Sequence, residues 1–235
     1  MAGEQFAERQ VDFAGEACSI DAFVAEPAGT SPAPAIVVIQ EWWGLNEHIR
    51  EVARRFAREG YVAIAPDLYS RQGHKVANDP NTAAQLMGGL KTPDGIADLK
   101  TTVGWLRNQK RTRTSRIGAI GFCMGGSYAL LLPCESKEIS AAAPFYGEIP
   151  QASKIRDLSC PIFYAYGEND GWIQRADVDR LAKELKEFGK RGEVKVYPGC
   201  SHGFFNDTRS DVYDATAAND AWDRALALFS HNLKS

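Results

Sequence analysis

The chain has 235 residues, a length that one large α/β domain can fill, and its 44% hydrophobic and 24% charged residues are an ordinary globular balance. Its 30 acidic and 27 basic residues leave a formal charge of -3 with no basic block, so no footprint for nucleic acid is present. No stretch approaches the roughly 18 consecutive apolar residues that a membrane span needs, and the first five residues carry neither a basic nor an apolar signal region. The expectation is one domain over residues 1–235, a cytoplasmic location, a small-molecule partner rather than nucleic acid or membrane, and a monomer or small homo-oligomer. Five cysteines (Cys18, Cys123, Cys134, Cys160, Cys200) are an odd number without CxxC spacing, so they read as reduced thiols, with no zinc site and no disulfide framework.

In chain order, residues 6–13 and 18–25 alternate polar and apolar positions and predict an antiparallel hairpin at a sheet edge. Residues 30–34 (TSPAP) form a loop into a continuous apolar run at 35–39 (AIVVI), which suits a strand buried on both faces. Asn46 then caps a helix that aligns Ile49, Val52, Ala53, Phe56 and Ala57, and Gly60 lies where a C-terminal glycine belongs. A second buried strand follows at 61–65 (YVAIA), then a long glycine-containing insertion at 70–91 that reads as a loop able to lie over a site. Thr92-Pro93 opens a helix with Ile96, Leu99, Val103 and Leu106 on one face. Further strands are predicted at 116–121, 139–143, 161–166 and 193–197. A helix near Leu181, Leu185 and Phe188 stops at Gly189, and a last one carries Trp222, Ala225, Phe229 and Leu233. Alternation of this kind predicts an α/β fold with a mainly parallel central sheet and helices on both faces.

In such sheets, chemistry collects in the loops at the carboxyl ends of the strands. Gly121-Phe122-Cys123-Met124-Gly125-Gly126 lies between a strand and an apolar helix expected to begin near Ser127. It matches the G-x-S-x-G nucleophile elbow of α/β-hydrolases with cysteine in place of serine. That turn exposes the thiol at a helix N-terminus, where N–H groups favour thiolate, and makes the Met124 N–H an oxyanion donor. A buried cysteine in a tight turn and a phosphate-binding loop are the competing readings, and the latter lacks G-x-G-x-x-G spacing. Asp170 and Glu168 compete for the acid, since Asn169-Asp170-Gly171 is also an ordinary turn signal. His202, just after the run 193–197, is the candidate base; His48, His74 and His231 fall on predicted helix surfaces or in the insertion. The order Cys123, Asp170, His202, each after a separate strand, is the nucleophile-acid-base order of α/β-hydrolases. Glu41 begins Glu41-Trp42-Trp43-Gly44 at the end of the first buried strand, where that fold draws its second oxyanion donor, here the Trp42 N–H.

Through Gln40-Glu41-Trp42-Trp43-Gly44, Ala65-Pro66-Asp67-Leu68-Tyr69, the cysteine elbow, the Asp170 loop and Ser201-His202-Gly203-Phe204, nearly the whole chain resembles the dienelactone hydrolase (carboxymethylenebutenolidase) family. The resemblance implies an α/β-hydrolase fold, a Cys123-His202-Asp170 triad, and a glutamate, here Glu41, that pairs with the resting thiol and is displaced as substrate binds. It further implies hydrolysis of enol lactones without a cofactor. Two positions depart from the family pattern, which holds a substrate carboxylate with two arginines. Residues 76–90 contain no lysine or arginine, and the position four after His202 is Asn206. A rebuilt anchor would fall to Arg71, Lys75 or Arg209, and the aromatics Trp42, Trp43, Tyr69, Tyr146, Trp172 and Phe204 could line a more apolar pocket. A glutamine amidotransferase reading fails because neither His202-Gly203-Phe204 nor His231-Asn232-Leu233 is a His-x-Glu pair. A non-catalytic binding or redox-sensing protein with a reactive Cys123 on a hydrolase scaffold is the alternative from another class.

Overall fold

The computed structural model describes residues 6–234, apart from the side chains of residues 114 and 115. They fall into two units, which divide between Gly118 and Ala119. The hairpin expected at the start of the first unit is β1 (Phe6–Ala14) and β2 (Ser19–Pro27), paired antiparallel from Phe6 opposite Pro27 to Ala14 opposite Ser19. β3 (Ala33–Ile39), α1 (Glu47–Arg58) and β4 (Val62–Pro66) form the parallel βαβ unit, and β2 joins β4 antiparallel. Asn46 caps α1 through its side chain, which accepts from the Ile49 N–H at 3.2 Å. The six α1 residues that bury against this half of the sheet include the five apolar ones expected. The sixth is His48, which is 4% exposed and not on the helix surface as expected. It sits one position before Ile49 and falls inside the edge of the buried stripe.

The insertion is not a loop throughout. After a 3-10 turn at Ser70–Gln72 it forms α2 (Pro80–Gly89), capped by Asp79, whose carboxylate accepts from the Asn81 and Thr82 N–H groups. An aspartate followed by proline at the first helical position was the signal for it. α3 (Thr92–Arg107) follows, then β5 (Thr112–Phe122), which runs from the first unit into the second.

The second unit continues with α4 (Met124–Glu135), β6 (Ile139–Phe145), a short α5 (Ala152–Arg156), β7 (Ile162–Asn169), α6 (Arg175–Glu187), β8 (Gly192–Ser201) and α7 (Ala215–Phe229). β6, β7 and β8 pair in parallel. The strand order is β1-β2-β4-β3 up to β5 in the first unit and β5-β6-β7-β8 in the second, so β5 is common to both. β3, β4 and β6 are almost wholly buried, which is why they read as unbroken apolar runs and not as alternating ones. Among the described residues, no helix is long and apolar enough to cross a membrane.

Candidate active site

The sequence between β5 and α4 makes a turn of one residue. Cys123 has φ +56° and ψ -121°, outside the regions an L-residue prefers, at a cost of order 1–3 kcal/mol that its surroundings must offset. They do so by hydrogen bonds: the Cys123 N–H donates to the Phe145 carbonyl at 3.1 Å, and its own carbonyl accepts from Gly126 at 2.9 Å and Ser127 at 3.2 Å. Those bonds start α4 at Met124, three residues earlier than expected, with Cys123 as its cap. The flanking glycines are needed for backbone approach. A Cβ on Gly121 would lie 2.0 Å from the Gly125 carbonyl oxygen, and one on Gly126 would lie 2.2 Å from that of Phe145. Gly147, just beyond β6, meets the same crossing from the other side, with a Cβ position 2.1 Å from the Ser127 nitrogen. Sequence reasoning overlooked Gly147, whose constraint comes from the start of α4 and leaves no local signal.

β7 ends at Asn169, and the chain turns so that the Asp170 side chain is fully buried. Its Oδ1 accepts from the Trp172 and Ile173 N–H groups, both at 2.8 Å, and its Oδ2 stands 2.8 Å from His202 Nδ1. Three polar contacts thus fix the buried carboxylate in place. Glu168 is exposed and accepts from the Gly199 N–H at 3.1 Å, so it holds the end of β8 that leads into His202 and does not meet the imidazole. His202 follows β8 directly, and its Nε2 is a buried nitrogen with no hydrogen-bond partner among the described residues. Two aromatic rings stand edge-on to the imidazole: Tyr146 at 4.9 Å and Trp172 at 5.2 Å between centroids. Phe204, expected as a pocket aromatic, is fully buried and packs on Tyr146 and Tyr197.

In the first unit, Glu41, Trp42 and Trp43 follow β3, and Glu41 is 3% exposed. The Tyr69 hydroxyl donates to the Trp42 carbonyl at 2.8 Å, the Ala77 N–H donates to the Trp43 carbonyl at 2.8 Å, and Gln40 Oε1 accepts from the Leu68 N–H at 3.2 Å. The segment after β4 thus braces the turn after β3. Because Tyr69→Phe removes the hydroxyl that donates to the part-buried Trp42 carbonyl, it should lower stability by about 1–2 kcal/mol. A lower urea midpoint at unchanged slope is the expected reading, and an unshifted midpoint would show that the carbonyl finds another partner. Arg71 is held by Asp98 through two bonds of 2.9 and 2.7 Å, so the anchoring role expected of it requires that pair to open. Asn206 is buried, and its Oδ1 accepts from the Thr208 N–H at 3.0 Å and from the Thr208 hydroxyl at 2.6 Å, a local turn; Arg209 pairs with Asp211.

Cys123 is itself only 5% exposed, so the turn does not expose the thiol as expected: the elbow is covered by the elements packed around it. The other four thiols are shifted away from thiolate. Burial pushes Cys134 and Cys160 up to about 12 and Cys200 to about 11, and raises Cys18 as well.

Residues 20–233 match the model of the dienelactone hydrolase family. The chain is 35% identical over 234 residues to Protein usf of Aquifex pyrophilus, covering 96% of this chain and 99% of that protein. It is 33% identical, with the same coverage, to a protein of Aquifex aeolicus (strain VF5) named as a candidate carboxymethylenebutenolidase. The crystal structure of a candidate dienelactone hydrolase from Klebsiella pneumoniae subsp. pneumoniae MGH 78578 superposes with a TM-score of 0.89 at 30% identity, covering 96% of this chain and 98% of that one.

Proposed function

Because the chain belongs to the dienelactone hydrolase family and is accordingly a carboxylic ester or lactone hydrolase of α/β-hydrolase fold, we propose that it works through Cys123, His202 and Asp170 and a thioester acyl-enzyme. The observation that carries this reading is the Asp170–His202 pair at 2.8 Å with Nε2 left without a partner. With Asp170 on Nδ1, the neutral imidazole carries its proton there and presents Nε2 as a base. Nε2 takes the thiol proton of Cys123 as sulfur attacks the acyl carbon. The carbonyl oxygen becomes an oxyanion met by the Met124 N–H at the start of α4. Collapse expels the enolate or aryl oxide, which leaves with the proton from Nε2, and water attacks the thioester as Nε2 accepts its proton. The second intermediate collapses by breaking the carbon–sulfur bond, the Cys123 sulfur takes the proton back from Nε2, and the acid leaves; no cofactor enters any step.

The resemblance alone gives Glu41 a part in the chemistry; the first unit buries it two residues after β3. The family match spans both units, which supports one catalytic domain over residues 1–235. Free cysteines suit a reducing, cytoplasmic setting.

For substrate, the reading departs from a carboxylated dienelactone. Arg71 is paired with Asp98, Arg209 with Asp211, and Asn206 is an uncharged amide, so none of them supplies a ready cation for a substrate carboxylate. Small neutral lactones and activated esters are expected to react best, since poor orientation of a carbonyl costs on the order of 100-fold in rate. Steady-state kcat/KM for dienelactone and for a neutral aryl acetate tests this. The neutral ester should lead, whereas a strong preference for dienelactone would mean that the Arg71–Asp98 pair opens to bind it.

A further inference from the structure

We infer that Trp172 is a positioning residue for the base, holding the His202 imidazole at the angle at which Nδ1 meets Asp170, beyond any part it plays as a pocket wall. The inference rests on the reading of His202 as the base. Among the described residues, the imidazole has three fixed neighbours by hydrogen bond, ion pair or ring contact: Asp170, Tyr146 and Trp172. One hydrogen bond at Nδ1 leaves the ring free to pivot about that bond, and among the described residues Nε2 has no partner to stop it. The two edge-on rings therefore set the remaining freedom.

The two differ in how they are held. Tyr146 is fully buried and also packs on Phe122, Phe145 and Phe204, so it is a fixed wall. Trp172 is half-buried on the loop after β7, and His202 is the one ring its indole meets among the described residues, at an interplanar angle of 67°. Its backbone N–H is bound to Asp170 Oδ1 at 2.8 Å. One residue thus fixes the acid through its main chain and the base through its side chain.

The division between main chain and side chain makes the inference testable, because any non-proline substitution keeps the N–H that holds Asp170. Trp172→Ala, Trp172→Leu, Trp172→Phe and His202→Ala are assayed with phenyl acetate and with a bulkier aryl ester. Loss of the flat ring should lower kcat on the order of 10-fold with KM within about twofold, equally for both esters, and Trp172→Phe should restore most of the rate. Should the alanine variant fold poorly by circular dichroism, the comparison of leucine with phenylalanine carries the test, since leucine fills space without a ring. A rise in KM that follows acyl size with kcat preserved, or equal rates for leucine and phenylalanine, would overturn the positioning role. Retained activity in His202→Ala would instead overturn the reading of the base, so the two failures can be told apart.

Discussion

Replacing Cys123 by alanine is expected to lower kcat/KM for an aryl ester by about 10⁴-fold or more while the protein keeps its thermal midpoint. The chemical half follows from loss of the sulfur that would form the thioester. The structural half follows from the turn: at φ +56° the strain arises from the Cβ and backbone, which alanine shares with cysteine, so the substitution neither adds nor relieves it. The hydrogen bonds that hold the turn, from Cys123 to Phe145 and from Gly126 and Ser127 to Cys123, are all main-chain bonds and survive. Glycine at the same position is the informative contrast, because it also abolishes the nucleophile but relaxes the backbone. Activity that persists in the alanine variant would mean that the thiol is not the nucleophile.

The second large effect is expected for Asp170→Asn, at about 10⁴-fold in kcat, the scale that the serine triad shows for this change in another protein. An amide oxygen at the Oδ1 position can still accept from the Trp172 and Ile173 N–H groups, so the loop keeps its shape. The amide nitrogen then faces His202 Nδ1 in place of Oδ2 and can only donate. That forces Nδ1 to accept and puts the ring proton on Nε2, where it can no longer take the proton of the thiol. Glu168→Gln is the control, since an amide oxygen there can still accept from Gly199 and the change should cost no more than a few-fold. Measured kcat/KM for the pair decides the acid; the opposite ranking would assign it to Glu168.

Much of this arrangement was legible in the residues. The unbroken apolar runs that became β3, β4 and β6 had to be buried on both faces, and the helix signals at Asn46 and Thr92-Pro93 are local chemistry that tertiary contacts did not override. The elbow was readable because its glycines are spaced by a backbone crossing that admits no Cβ. What stayed hidden depended on partners distant in sequence. Asp170 and Glu168 are two residues apart in one turn, and only the return of β8 decides which meets His202 and which meets Gly199. Arg71 looked available until Asp98, 27 residues on, was placed against it. Gly147 showed no motif because its constraint comes from Ser127 on another element. Tyr69 and Phe204 read as pocket aromatics because an aromatic near a strand end gives no sign of whether its ring packs inward.

The central claim is a covalent acyl group on Cys123, and the most direct test is the mass of the protein quenched in acid during turnover of an aryl acetate, followed by peptide mapping. The four other thiols are held protonated by burial near neutral pH, so labelling should be confined to one site. One acetyl group on the peptide that contains Cys123, absent from Cys123→Ala, is the predicted result. Turnover with an acetyl group on a serine or on another cysteine, or with Cys123→Ala acetylated to the same extent, would contradict it.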